Sequence, residues 1–481
     1  MFAYSLPTLL GLALVFGFYA RNIYEITLID MIIPAVLTAC ITGCLTLITT
    51  KVLHNRTKAI LVSIAYTIAL FGTSSLNQLW ALNYGTAEMV CTIVVTAILA
   101  GILRINMPKA VISVLAAITL GMFVIPTYLV VANFGAIAWA SQPANTSSTV
   151  ITPATLDAPN IIYIVPDRYA SNPTLVKYFQ YDNSLFTDAL VQRGFYVNTS
   201  ARANFSSSIM SIGTVLNLGY PETLYGNKQA VINSLQSPVL GKLLINQGYT
   251  YYHFGSWWPP TRDSKLTQIY HSAQVTRIPS VTTEYVKRSF LAPLLNAVED
   301  ANYPGRERVA TITEKQLDLL AASKMSQPNL VFAHLLSPHP PIKFGSDGGI
   351  PNDTLSIAQQ YVEEIKYLNL RLLQCIDSML ETQPNTIIIL MADEGVKPLQ
   401  EDSLCGALDG SFTTAELDEM TLGILMAVYY PDKNYTALYD AITPVNVMRV
   451  TLNQYLNTGF PLLPDLHYRM ANIADNPRSV E

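Results

Sequence analysis

Charge is what this sequence has least of. Asp, Glu, Lys and Arg make up 13% of its 481 residues while half are apolar, which argues against a chain soluble along its whole length. Charge of one sign is scarce as well. The formal net charge is -5, with no basic patch and no run of like charges, so nucleic acid is excluded as a partner class and a charged disordered tail is not expected. Five cysteines, widely scattered, give no disulfide framework. No internal repeat is visible.

The apolar residues that fill this space are unevenly placed. Nearly all the long uncharged runs fall in residues 1–135, at about 3–20, 31–50, 59–80, 86–103 and 110–134, each close to the ~20 residues a helix needs to cross a bilayer. Five membrane spans are expected. The fourth is the weakest, being free of charge only from Met89 to Leu103 with Glu88 at its edge, so a count of four stays open. Lys51, Arg56 and Lys58 follow the second run and Arg104 and Lys109 the fourth, whereas the connection between the third and fourth has no Lys or Arg. Basic loops stay cytoplasmic, which puts the N-terminus inside and everything after about residue 135 outside the cytoplasm. No Lys or Arg precedes the first run and further spans follow it, so it reads as a membrane helix and not as a cleaved signal. Cys40, Cys44 and Cys91 lie within spans; Cys375 and Cys405 lie outside, where pairing is permitted but not dictated.

Residues 136–158 read as a linker, since Ser141 to Asp157 is rich in Ser, Thr, Pro and Ala without apolar periodicity. A separate domain follows over 159–481. Short apolar or aromatic runs NIIYIVP (160–166), TYYHFGS (250–256), LVFAHLL (330–336), TIIILMA (386–392) and ILMAVYY (424–430) alternate with helical stretches, the clearest over 357–381. Continuous apolar strands separated by helices predict an α/β domain whose mostly parallel sheet is buried on both faces.

Ligands of such sheets gather at the carboxyl ends of the strands. That position selects Asp167 after the first run, Asp393 and Glu394 after TIIILMA, and the stretch from His334 to His339 ending LVFAHLL. Carboxylates suit Mg, Mn or Ca, and imidazole favours Zn. A lone Asp closing a strand is equally a turn former or helix cap, and Asp393-Glu394-Gly395 is equally a turn.

The same segments resemble a known group. NIIYIVPDRYAS, the stretch through ARANFSSSIMSIG, LLSPHPPIKF, IIILMADEG and RVTLNQYLNTGFPLLPD are similar to the membrane-anchored, sulfatase-like members of the alkaline phosphatase superfamily. These include lipoteichoic acid synthases and phosphoethanolamine and phosphoglycerol transferases. The resemblance spans the external domain, and five preceding spans are typical of the group. It implies an alkaline phosphatase/sulfatase-type domain, with Asp167 as a metal carboxylate and Ser208 as the nucleophile and a further metal ligand, three residues after Phe205 of the Asn204-Phe205 pair. A hydroxyl at a helix N-terminus lies beside free N–H groups and a positive dipole end, which suits an incoming phosphate. Capping by Ser206, Ser207 or Ser208 is the plain alternative. His339 matches the histidine that contacts the phosphoryl group, and His334 is a second candidate for substrate binding. His253, Ser256 and Trp257 are candidates for lining the same pocket, simple packing being the alternative.

Two departures from the group are visible. Where it has Asp-His-Gly, this chain has Asp393-Glu394-Gly395, which makes the expected metal set Asp167, Ser208, Asp393 and Glu394 more anionic and favours Mn or Mg, with Ca or Zn as the other options. The Cys-x-Pro-x-Arg or Ser-x-Pro-x-Arg signature of true sulfatases is absent, which disfavours sulfate ester hydrolysis. The resemblance therefore implies transfer of a phosphoglycerol or phosphoethanolamine head group from a membrane phospholipid donor to an envelope glycan or lipid acceptor through a phospho-seryl intermediate. Water as acceptor would make a phosphoester hydrolase. A silent lipid-sensing or partner-binding relative is the third reading.

Overall fold

The computed structural model describes residues 2–21, 31–71, 101, 104, 110–139, 158–220, 228–256, 258–266, 269–272, 305–322, 325, 328–398, 407–470 and 478–480. Those up to 139 belong to one compact unit and those from 158 onward to another.

The first unit is helical, with helices Phe2–Arg21, Ile32–Leu53, Arg56–Phe71 and Ala110–Trp139. Three described stretches are long and apolar enough to cross a membrane: Ala3–Ala20, Ile32–Leu53 and Ala110–Tyr128. The expected third span is described only as far as Phe71, and the expected fourth lies outside the described residues except for residue 101. Solvation in this unit is inverted relative to a water-soluble bundle. Ile32, Val36, Leu47, Ile48 and Val52 point outward from the second helix, while Thr38, Thr42, Thr46 and Thr49 are buried. The threonine hydroxyls are satisfied internally. Thr42 and Thr46 donate to the carbonyls four residues back at 2.7 and 2.8 Å, and Thr49 meets Ser63 at 2.7 Å. Apolar surface outside with hydroxyls between helices is the arrangement a hydrocarbon solvent selects. The basic residues Lys51, Arg56 and Lys58 surround the tight turn at His54, whose φ is 48°.

The second unit is built on a mixed sheet of order β2-β7-β6-β1-β5-β3-β4. Its members are β1 (Asn160–Pro166), β2 (Tyr196–Val197), β3 (Thr250–Gly255), β4 (Ile269–Ser272), β5 (Asn329–Leu335), β6 (Thr386–Met391) and β7 (Met426–Tyr429). Strands β6, β1, β5, β3 and β4 run parallel, while β7 is antiparallel to β6 and β2 to β7. Every residue of β1, β5 and β6 is buried, which is why their sequences are unbroken apolar runs rather than alternating ones. The helix Ile357–Thr382 starts at a capping box, Ser356 accepting from Gln359 N and the Gln359 side chain accepting from Ser356 N. Its buried Tyr361, Ile365, Leu368, Leu372, Ile376 and Met379 recur at helical spacing and face the core. Cys375 lies on the same helix as a buried free thiol. Burial pushes it up to about 12, so it is an inert packing residue. Cys405 lies outside the described residues.

Candidate metal centre

The central strands bring three ligand-bearing side chains to one point by register alone. Val165 of β1 pairs with His334 of β5, and Ile164 pairs with Leu390 of β6. Side chains two residues apart share a face, so Asp167, two past Val165, lies on the face of His334. Asp167 and Asp393 are each three residues past the Ile164/Leu390 pair and therefore level with one another. One ligand atom from each of Asp167, His334 and Asp393 lies within 4.8 Å of the others.

All three side chains are buried, with exposures of 3, 0 and 2%. Asp393 Oδ1 accepts the backbone N–H groups of Arg168 at 3.1 Å and Glu394 at 2.8 Å. Its Oδ2 has no hydrogen-bond partner among the described residues, and neither has Asp167 Oδ1 or His334 Nε2. His334 Nε2 stands 3.5 Å from Asp167 Oδ2 but is not aligned as a hydrogen bond. Burial pushes Asp393 well above the usual carboxylate range, and the Asp167 charge pushes it further. Burial acts the same way on Asp167, but His339, His334 and Arg168 outweigh it and hold that carboxyl low. Two carboxyl groups buried side by side with an imidazole, each with an atom that lacks a hydrogen bond, are costly without a cation and well suited to one. The donor set fits a divalent metal.

Glu394 is engaged differently. Its Oε1 accepts from Arg168 Nε at 3.0 Å and from the Ser208 hydroxyl at 3.3 Å, and its Oε2 lies 3.0 Å from Lys397 Nζ. Arg168 itself has a φ of 58°, an uncommon conformation for a side chain of this size. The Tyr361 hydroxyl, donating to Arg168 O at 2.6 Å, and Asp393, taking its N–H, hold it there.

Ser208 is the first residue of the helix Ser208–Leu216. Neither neighbouring serine caps that helix: Ser207 occupies the cap position without a side-chain hydrogen bond, and Ser206 Oγ accepts from Met470 N at 3.0 Å. Asn204 anchors the approach, donating to Tyr220 OH at 2.9 Å and accepting from Val445 N at 3.1 Å.

His339 is partly buried and bonds the Pro340 carbonyl through Nδ1. Burial and then the Arg168 charge push it down to about 3, so it is a neutral imidazole at neutral pH. Lys343 Nζ donates to His339 O and pairs with buried Glu364 at 3.2 Å. Glu364 also accepts from Ser337 Oγ at 2.5 Å and from Lys343 N at 2.8 Å, which locks the loop carrying His339.

His253 and Ser256 stand behind His334. His253 bonds Tyr251 OH at 3.1 Å and Thr261 O at 2.8 Å, while Ser256 Oγ meets Thr261 Oγ1 at 2.9 Å. Thr261 Oγ1 in turn meets His334 Nδ1 at 2.7 Å. Trp257 lies outside the described residues. Arg168, Thr261, Lys343, Glu364 and Lys397 were not singled out by the sequence. Arg168, Lys343 and Lys397 stand within four residues of Asp167, His339 and Asp393, which is a signal of sorts; Thr261 and Glu364 reach the site only through the fold.

No protein-family model matches the chain, and no curated protein does. Several solved structures are similar to it. The C-terminal periplasmic domain of EcEptC from Escherichia coli, in complex with Zn, is 12% identical, with 70% of this chain and 95% of that one covered and a TM-score of 0.45. The integral membrane lipooligosaccharide phosphoethanolamine transferase A of Neisseria meningitidis is 13% identical over 94% of this chain and 95% of that one, with a TM-score of 0.44. A phosphonate monoester hydrolase of Agrobacterium radiobacter is 13% identical over 64% and 75%, with a TM-score of 0.39.

Proposed function

We propose that the chain is a membrane-anchored, metal-dependent phosphotransferase of the sulfatase-like type, which moves a phosphoglycerol or phosphoethanolamine head group from a membrane phospholipid to an envelope glycan or lipid outside the cytoplasm. One observation carries the reading: ligand atoms of the buried Asp167, His334 and Asp393 converge within 4.8 Å, and Glu394 beside Asp393 takes a hydrogen bond from Ser208.

Ser208 is the nucleophile of this scheme. Its Oγ gives up its proton as it attacks phosphorus, the bond from phosphorus to the diacylglycerol oxygen breaks, and the leaving oxygen takes up a proton in its place as diacylglycerol departs. The head-group phosphate stays on Ser208 until an acceptor hydroxyl attacks, gives up its proton and restores the serine. Bound at Asp167, His334 and Asp393, a divalent cation supplies charge that offsets the phosphate and lowers the pKa of a nearby hydroxyl. The helix N-terminus at Ser208 adds backbone N–H groups and a positive dipole end. His339, its ring held through Nδ1 by Pro340 O, is the residue assigned to contact the phosphoryl group. An apolar helical unit fits a donor confined to the bilayer.

The test is turnover. Full-length protein in phospholipid micelles, supplied with Mn²⁺, Mg²⁺ or Zn²⁺, is expected to release diacylglycerol from phosphatidylglycerol or phosphatidylethanolamine. Release that is the same without an added glycan acceptor would identify a hydrolase. No release from a metal-loaded protein would overturn the transferase reading.

A further inference from the structure

The metal reading leaves open what aims His334. We propose that Thr261 is a positioning residue that fixes His334 in the tautomer presenting its Nε2 lone pair to Asp167 and Asp393. The proposal rests on the metal reading above.

His334 is fully buried, so both ring nitrogens must be accounted for inside the protein. A neutral imidazole carries one proton. With that proton on Nε2, the ring would face Asp167 Oδ2 only across a long 3.5 Å contact, and Nδ1 would be left to accept from Thr261. With it on Nδ1, the ring donates to Thr261 Oγ1 at 2.7 Å, and Nε2 is a third acceptor beside the carboxyl groups of Asp167 and Asp393. Thr261 can then pass its own proton to Ser256 Oγ at 2.9 Å. Ser256 Oγ accepts in addition from Trp258 N at 3.1 Å, which fixes its lone pairs toward the turn.

The backbone is arranged to put Thr261 there. A Cβ at Gly255 would stand 2.1 Å from Arg262 O, so only glycine at the end of β3 lets the turn Pro259–Arg262 lie against the strand. His253 holds the same turn through Thr261 O, and Gln316 ties the two strand ends together by donating to Gly255 O at 3.0 Å and His334 O at 3.2 Å. Strand β3 and the turn Pro259–Arg262 thus hold Thr261 against Nδ1 of the imidazole. An imidazole nitrogen fixed in this way favours Zn²⁺ over Mn²⁺, Mg²⁺ or Ca²⁺.

The experiment is calorimetric titration of Zn²⁺ into metal-stripped, full-length protein in detergent, with thermal unfolding of each metal-free variant beside it. Thr261→Val is expected to weaken binding about 10- to 100-fold, and Thr261→Ser, which keeps the hydroxyl, to stay within about threefold of the parent. A purely structural role would lower the metal-free melting temperature and leave the affinity alone. Parent-like affinity in Thr261→Val overturns the proposal. If that variant does not fold, Ser256→Ala carries the test by removing the acceptor that orients the Thr261 hydroxyl, and unchanged affinity there overturns it equally. The underlying metal reading fails separately: Asp167→Asn would then bind Zn²⁺ as tightly as the parent.

Discussion

Arg168 and Glu394, 226 residues apart in sequence, form an ion pair at 3.0 Å in which both side chains are buried. The carboxylate that the sequence places beside Asp393 therefore has two cations of its own, Arg168 and, at 3.0 Å, Lys397. These contacts hold Glu394 within hydrogen-bond reach of Ser208, beside the ligand group of Asp167, His334 and Asp393.

Removing that charge should be expensive. Glu394→Gln removes one side of the buried Arg168–Glu394 pair, and breaking such a pair costs ~3–5 kcal/mol. Denaturant unfolding of the full chain measures it; a loss below ~1 kcal/mol, the level of a surface pair, would contradict the buried-pair account.

The seryl run separates capping from chemistry. Ser207→Ala is expected to change stability by less than ~0.5 kcal/mol, because Ser207 makes no cap hydrogen bond, whereas a working cap is worth ~1 kcal/mol. Ser208→Ala should abolish diacylglycerol release while retaining metal affinity. Turnover surviving in Ser208→Ala would remove Ser208 as nucleophile.

Gly395 is a packing constraint directly behind the site. A Cβ there would fall 2.1 Å from Met420 O and 2.7 Å from Gly423 O, both backbone atoms that cannot move independently. Gly395→Ala should cost ~3 kcal/mol or more, at the upper end of overpacking, with loss of metal binding as the Asp393 turn is displaced. Parent-like melting would show that the turn has room to give.

Acid stability should report on the C-terminal clasp. Asp465 accepts from Tyr439 at 2.6 Å, from Thr443 N and Oγ1 at 2.9 and 2.7 Å, and from Asn446 at 2.8 Å. Burial pushes its carboxyl up, but these hydrogen bonds outweigh burial and hold it below its ordinary value. A depressed carboxyl stabilises the fold above its unfolded value of ~3.9, and the contribution disappears as pH falls through the folded value. Asp465→Asn is therefore expected to be destabilised at pH 7 and to converge on the parent towards pH 3, read from melting curves across that range. A gap independent of pH would contradict the assignment.

Much of this architecture is legible in the sequence because burial on both faces forces unbroken apolar runs. The runs at 160–166, 250–256, 330–336, 386–392 and 424–430 correspond to β1, β3, β5, β6 and β7 within two residues at either end. Strands β2 and β4, at two and four residues, are too short to carry a pattern, and nothing in ILMAVYY tells that β7 runs antiparallel. At the site, Asp167 and Asp393 are readable from their place after buried strands. His334 is readable as a strand-end histidine, but its orientation is set by Thr261, 73 residues away, and by β-sheet register. The engagement of Glu394 by Arg168 is likewise a tertiary fact. Local pattern specifies which residues reach the strand ends; only the fold specifies which of their atoms remain unpaired.

The central claim is that Asp167, His334 and Asp393 form a metal site, and metal-linked unfolding of the full-length protein tests it most directly. With Zn²⁺ or Mn²⁺ at ~100 times its dissociation constant, the parent should gain ~2.7 kcal/mol, and the double variant Asp167→Asn/Asp393→Asn should gain nothing. A parent that gains no stability from either ion, or a double variant that gains as much as the parent, would contradict the account.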